Sequence, residues 1–173
     1  MNLVAADKSE LSAIYASMER NFIKEEVRNF DEVLRLCDGG KYTLYHIEEE
    51  GVRKGFVGIW ELKGFAFLEY FVVYEDFRNG GTGGRVMELI KERFDSVILE
   101  AELPEQPIQV RRLNFYKRHG MCVNYQTYFQ PPYRKGESGC PLYLLSYPEP
   151  LPDFEEKVKV IYREVYEREY KPN

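Results

Sequence analysis

The sequence predicts an α/β domain, and three observations predict it. Apolar residues recur every three or four positions in some stretches and alternate or run unbroken in others, so helices and strands interleave along the chain. Residues 65–73 read FAFLEYFVV, an almost continuous apolar run that suits a strand covered on both faces. That run leads into FRNGGTGG at 77–84, four glycines in five positions, with a helical pattern directly behind it. Each glycine in a regular element costs roughly 0.5–1 kcal/mol against alanine, so this loop predicts something that approaches its backbone closely.

In chain order, Leu3 to Ala6 reads as a short strand. Asp7 and Glu10 have the spacing of a capping box, and Leu11, Ile14, Tyr15 and Met18 then share a helical face. Val27, Phe30, Leu34 and Cys37 mark a second helix, ended by Gly39-Gly40. Strands follow at Tyr42 to Ile47, Gly55 to Leu62 and Phe65 to Val73, separated by turn-prone residues. Behind the glycine loop, Val86, Leu89, Ile90 and Phe94 form a helical stripe. A strand from Ser96 to Glu100 and a helix through Val110 and Leu113, ending at His119-Gly120, come next. A strand from Met121 to about Tyr128, a proline-bracketed loop and a strand at Leu142 to Ser146 precede a C-terminal amphipathic helix carrying Phe154, Val158, Ile161 and Val165.

The 173 residues suffice for one domain with a core, and no shift in composition divides them, so residues 1–173 are read as a single domain. A formal net charge of -5 argues against nucleic acid and against an anionic membrane surface, both of which need a basic face. The chain shows neither a secretory leader pattern nor an apolar run of membrane-spanning length, and the expectation is a cytoplasmic protein. Cys37, Cys122 and Cys140 are odd in number and widely spaced, with only His46 and His119 beside them. They predict core packing, without a disulfide framework or a metal site.

A strand that passes through a glycine turn into a helix offers free amide hydrogens at the positive end of the helix dipole, a place for phosphate. A P-loop is excluded because Gly83-Gly84 is followed by Arg85-Val86, without the lysine and the metal-binding hydroxyl. A dinucleotide fingerprint is excluded because Val86 stands where its third glycine belongs. The run Arg78-Asn79-Gly80-Gly81-Thr82-Gly83 does fit the signature Arg/Gln-x-x-Gly-x-Gly/Ala, and farther on RRLNFYKRHGM puts Tyr116 on a helix shortly before Gly120-Met121. With both motifs in that order the chain resembles the GCN5-related N-acetyltransferase superfamily over nearly its whole length.

That resemblance implies a mixed, mostly antiparallel central sheet of about six to seven strands flanked by helices. It implies acetyl-coenzyme A as co-substrate, no metal, and transfer of its acetyl group to a primary amine, of a small molecule, by direct attack in a ternary complex. The pyrophosphate would lie on the backbone of Asn79, Gly80, Gly81, Thr82, Gly83 and Gly84, with Arg78 at the head of the signature. Gly81 and Gly83 would lack side chains because one would collide with the cofactor. The pantetheine arm would run along Phe71, Val72 and Val73 through main-chain contacts. Gln109 stands where relatives often have an asparagine that touches that arm. Tyr116 matches the general acid that protonates the departing thiolate. Glu69, the one charged residue of FAFLEYFVV, is the candidate base or ammonium anchor. Strand alternation would put it on one face with Phe67, Phe71 and Val73; a structural ion pair is the alternative for it. Glu100 and Glu102 are further candidates for the base, and three carboxylates near one cleft would suit a cationic amine. Tyr125, Tyr128 and Tyr133 could line an acceptor pocket or simply belong to the core. A non-catalytic acyl-coenzyme A sensor is the other functional class, and the sequence leaves a homodimer open.

Overall fold

A computed structural model describes residues 1–134 and 136–171. Seven strands form one sheet: β1 (Asn2–Ala5), β2 (Tyr42–Glu49), β3 (Val52–Leu62), β4 (Phe65–Val73), β5 (Val97–Glu102), β6 (Cys122–Gln130) and β7 (Cys140–Tyr147). Their order across the sheet is β1-β2-β3-β4-β5-β7-β6, and every pairing is antiparallel except β4 with β5. The first four strands are a meander. Its β2–β3 turn puts Glu50 and Gly51 at φ of 53° and 75°, the two left-handed positions that a right-twisted hairpin favours.

Five helices cover the sheet: α1 (Leu11–Asn21), α2 (Phe30–Asp38), α3 (Thr82–Arg93), α4 (Pro107–Arg118) and α5 (Phe154–Glu164). Ile14 and Met18 of α1, Val33 and Leu36 of α2, and Val158 and Ile161 of α5 share one core with Phe56, Phe67 and Tyr70. Val86, Met87 and Ile90 of α3 pack against Ile59, Leu68 and Leu99 on the other face, and α4 adds Leu113 and Phe115 there. A three-layer arrangement follows, with β4 and β5 buried from both sides.

Two local readings change. The second helix begins at Phe30, so Val27 lies outside it; Phe30, Leu34 and Cys37 pack half-buried against the core as expected, and Val33 and Leu36 are the side chains buried most deeply. A 3₁₀ turn at Lys24–Glu26 takes up the chain before it. Cys140 is exposed and does not fill the core; Cys37 and Cys122 are half-buried, and all three are free thiols.

The feature that positions the site is an interruption in β4. Gly58 of β3 pairs with Tyr70 while Ile59 pairs with Leu68, so Glu69 is the extra residue of a β-bulge. The bulge breaks alternation. Phe67, Tyr70 and Val72 belong to the α1–α2–α5 core, whereas Leu68, Phe71 and Val73 face α3 and α4. Glu69 reaches the first of these faces, so it does not share a side with Phe71 and Val73 as strict alternation predicted. On its other edge β4 pairs with β5 only through Ala66–Leu68 against Val97–Leu99. Beyond that rung the two parallel strands part, and β5 continues against β7 alone.

Gly55 shows how tightly β3 holds the parted segment of β4. A Cβ there would stand 2.0 Å from the Val72 carbonyl oxygen, a backbone atom that cannot rotate away. Gly55→Ala is expected to lower stability by about 2–3 kcal/mol, the range for an overpacked core. Urea unfolding would measure it; a change below about 0.5 kcal/mol would mean that β4 gives way without cost.

Candidate functional site

The parting of β4 from β5 leaves an edge of main chain inside the sheet. Tyr74 N–H donates to Lys54 O of the β3 side at 2.8 Å. By alternation of backbone groups along an antiparallel strand, Phe71 and Val73 turn theirs toward the gap. Val72 lies between them, paired with Phe56 of β3, so its main chain does not face the gap as the expected contact requires. An unpaired strand edge inside a sheet is a template for one more extended chain.

The glycine loop closes one end of this gap. Asn79 and Gly81 have φ of 65° and 75°, and Gly81 caps α3. No protein atom lies within 4 Å of the position a Cβ of Gly81 would take, so the left-handed backbone is what requires glycine there. The first bond of α3 runs from Arg85 N–H to Gly81 O at 3.1 Å, which leaves the N–H groups of Thr82, Gly83 and Gly84 at the helix start without an intrahelical partner. A ring of amide donors at a helix N-terminus, next to an open strand edge, fits a chain-like ligand with a phosphate at one end.

Gly83 and Gly84 also face neighbours within the chain. A Cβ on Gly83 would stand 3.2 Å from Cζ of Phe115, and one on Gly84 would stand 2.6 Å from Cε1 of His119. Both glycines let α4 lie close against α3, the contact being the tighter at Gly84. Phe115 is in turn 6.3 Å, ring to ring, from Phe71 of β4. Arg78 is held in place: its Nε donates to Val73 O at 2.8 Å and its Nη2 to Asn21 Oδ1 at 3.0 Å, which ties the end of β4 to α1. Arg111 of α4 reaches Asn79 Oδ1 at 2.9 Å.

Gln109 is turned back on its own helix start. Its Oε1 accepts from Glu105 N–H and Gln106 N–H at 3.1 and 2.8 Å, and this caps α4. The carbonyl end is therefore engaged and only the amide nitrogen is left for a ligand.

Tyr116 sits half-buried on α4, edge-on to Phe115 at 5.3 Å. Arg112 and Glu102 lie close enough to influence its hydroxyl, which puts it beside the outer end of β5. Burial pushes that hydroxyl up to about 12, so it keeps its proton across the neutral range.

On the opposite face, Glu69 is enclosed. Its side chain is 1% exposed and that of Arg28 2%. Arg28 Nη2 is 2.8 Å and its Nε 2.9 Å from Glu69 Oε1. Trp60 Nε1 donates to Oε2 at 3.0 Å, and the Tyr133 hydroxyl donates to Oε1 at 2.9 Å. The guanidinium also meets Glu32, donates to Val165 O at 2.7 Å and lies 4.5 Å from the centre of the Tyr133 ring. Burial works against its charge, but Glu69 together with Tyr133, Tyr70 and Glu32 outweighs burial and holds Arg28 above the ordinary range. The ion pair that the sequence left as the alternative for Glu69 is thus present.

Glu100 stands across the gap, one residue past the last rung of β5, and Glu102 pairs with Arg112. Glu100 accepts from the Tyr128 hydroxyl, from Gln130 Nε2 at 2.8 Å and from the Tyr166 hydroxyl at 2.7 Å. Of the three tyrosines considered for a pocket, Tyr128 and Tyr133 serve these carboxylates, while Tyr125 is 72% exposed on β6. Arg28 and Tyr166 were not singled out from the sequence. The signal for Arg28 was indirect: a carboxylate in an apolar strand demands a cation, but nothing in the chain says which of 24 lysines and arginines supplies it.

Comparison with known proteins agrees with this geometry. The model of the family described as "Acetyltransferase (GNAT) family" matches residues 11–121. Among solved structures, a GNAT-family protein from Bacteroides thetaiotaomicron is similar over 96% of this chain and 98% of its own, at 29% identity and a TM-score of 0.88. A variant of a spermidine N-acetyltransferase from Vibrio cholerae is 13% identical over 84% of this chain and 94% of its own, with a TM-score of 0.61. An aminoglycoside 6'-N-acetyltransferase complexed with coenzyme A is 14% identical over 88% of this chain and 100% of its own, also at 0.61. The last two share the fold. No curated protein matches the chain in sequence.

Proposed function

Since this chain belongs to the acetyltransferase (GNAT) family, we propose that it transfers the acetyl group of acetyl-coenzyme A to the primary amine of a small molecule, by direct attack in a ternary complex. The observation that carries this reading is the parting of β4 and β5 after Leu68 and Leu99, beside the amide ring of the glycine loop. A strand edge and a phosphate cradle in one groove suit a pantetheine arm with a pyrophosphate at its end. The fold is shared with enzymes named for spermidine and for an aminoglycoside, both small amines, which supports the choice of acceptor.

Acetyl-coenzyme A supplies an acyl carbon already activated as a thioester. The residues of this chain orient it and handle protons. The N–H groups of Thr82, Gly83 and Gly84, with the backbone of Asn79, Gly80 and Gly81, receive the pyrophosphate. Phe71 and Val73 align the arm through their main chain, and Gln109 meets it through the amide nitrogen its cap leaves over. Arg78 keeps the end of β4 in register with the loop through Val73 O. A main-chain N–H of β4 at the gap polarises the thioester carbonyl, where negative charge develops during attack. Tyr116, neutral at working pH, donates its proton to the leaving sulfur.

Two measurements test this. Calorimetry is expected to show acetyl-coenzyme A binding, with ATP and NAD not binding. Release of coenzyme A thiol across a panel of small amines is expected for at least one acceptor, with initial rates that intersect in double-reciprocal plots as a ternary complex requires. Parallel lines would sink direct attack. Binding of acetyl-coenzyme A without thiol release for any amine would return the protein to the class of non-catalytic sensors.

A further inference from the structure

Two carboxylates flank the place where the sheet opens, Glu69 next to the last β4 rung and Glu100 next to the last β5 rung. We infer that Glu100 is the group that takes the proton from the attacking amine, and that Tyr166, from the segment after α5, is the residue that positions it. The inference rests on the acetyl transfer proposed above and assigns its base.

The argument is a contrast of surroundings. Glu69 is paired with a buried guanidinium and receives Trp60 and Tyr133 besides. Taking up a proton there would break the better-buried of the two ion pairs of Arg28 and leave only Glu32 to balance its charge, a costly result. Glu100 has no cation within hydrogen-bond or ion-pair distance among the described residues. Its donors are neutral: Tyr128 and Gln130 from β6 and Tyr166 from beyond α5. Other ionisable groups whose charge it feels or influences include Glu69 of β4, Tyr162 of α5 and Cys140 of β7, none of them positive. The Arg28 guanidinium, 5.9 Å from the centre of the Tyr166 ring, is already engaged by Glu69 and Glu32. A proton on Glu100 therefore leaves no counter-charge behind and relieves repulsion from Glu69. Burial accordingly pushes Glu100 up to about 7, where a base for neutral-pH chemistry belongs.

Tyr166 fixes the direction of this carboxylate. Its hydroxyl is 2.8 and 2.7 Å from the two oxygens, and Gln130 Nε2 donates to that hydroxyl at 2.9 Å and to Glu100 Oε2 at 2.8 Å, closing a small ring. The preceding residue, Val165, offers its carbonyl to Arg28. One dipeptide thus holds both carboxylate environments, and it lies outside the stretch 11–121 that the family model matches.

In the transfer step the nitrogen lone pair forms the C–N bond and the C–S bond breaks with its electron pair on sulfur. The nitrogen proton passes to a Glu100 oxygen and the Tyr116 proton to the thiolate. Amide and thiol leave neutral, and Glu100 returns its proton through solvent as Tyr116 regains one.

The test is the rate of coenzyme A release from pH 5 to 9, with the acceptor found in the amine panel, for the wild type, Glu100→Gln, Tyr166→Phe and Glu69→Gln. Acetyl-coenzyme A binding is followed by calorimetry. The wild type is expected to lose activity as pH falls through about 7, as Glu100 becomes protonated. Glu100→Gln should turn over about 100-fold more slowly, bind acetyl-coenzyme A as before and show no acid limb near 7. Tyr166→Phe removes a donor that favours the charged carboxylate, so its acid limb should move to higher pH while the rate well above it changes little. Glu69→Gln should retain an acid limb but move it to lower pH, because the charge that repels the Glu100 carboxylate is gone. A Glu100→Gln variant within twofold of wild type, or one with the same acid limb, overturns the inference. Should that variant not fold, an unmoved limb in Tyr166→Phe overturns it equally. A wild type that binds acetyl-coenzyme A but never releases thiol defeats the acetyl-transfer reading first, and the base assignment with it.

Discussion

Arg28→Met is expected to destabilise the protein by about 3–5 kcal/mol, the range for breaking a buried ion pair from one side. The loss follows from what remains behind. Glu69 would keep a side chain 1% exposed and only two neutral donors, the Trp60 indole and the Tyr133 hydroxyl. The variant would also remove the donor to Val165 O and the cation stacked 4.5 Å from Tyr133. For a chain of 173 residues this corresponds to a fall in Tm of roughly 10 °C. Adding Glu69→Gln to Arg28→Met leaves no charge at position 69, only the partly exposed Glu32, and keeps an acceptor for Trp60 and Tyr133, so the double variant should recover about 1–2 kcal/mol. Urea unfolding of the single and double variants decides it: a single-variant loss below about 1 kcal/mol would show that water enters the site and solvates Glu69. Because Arg28 joins the segment between α1 and α2 to β4 and to the end of α5, its loss should also loosen the wall of the cleft before the whole domain unfolds.

The sequence carried the elements well and the site unevenly, and the reasons are particular. All seven strands and all five α-helices of the described residues showed because one face is apolar and the other is not, because an apolar run is unbroken, or because glycine and proline punctuate them. The glycine loop showed because its residues are required at fixed offsets. The bulge at Glu69 did not show. A strand buried on both faces has no polar alternation for an extra residue to interrupt, so FAFLEYFVV looks the same with the bulge as without it. That one residue moved Glu69 to the face of Arg28 and away from Phe71. Gly83 and Gly84 were legible as glycines, but their closeness to Phe115 and His119 was not, since both come from a helix some thirty residues on. Tyr166 was hidden more deeply. It is one of 14 tyrosines, and only the return of the chain after α5 to the end of β5 gives it a carboxylate to hold.

Tyr116→Phe is expected to lower kcat by about 100-fold, with acetyl-coenzyme A binding unchanged within about twofold. The size of the effect comes from the leaving group. A thiolate departing without a proton carries full negative charge into a half-buried cleft, where Arg112, the cation that acts on Tyr116, is already engaged by Glu102. Phenylalanine keeps the ring that packs edge-on to Phe115, so the fold and the loop beside it should be undisturbed. Loss of an interaction made only as the bond breaks lowers kcat and kcat/KM together, which separates this role from one in binding. The pH profile gives a second handle. Burial holds the Tyr116 hydroxyl at about 12, so the wild type should show no alkaline decline from this group below pH 10. The third handle is the donor itself: a thioester whose thiol is more acidic needs less help in leaving, so the gap between wild type and Tyr116→Phe should narrow with it. Equal gaps for both donors would mean that the tyrosine assists some step other than the departure of sulfur, and an unchanged rate with acetyl-coenzyme A would remove it from the chemistry altogether.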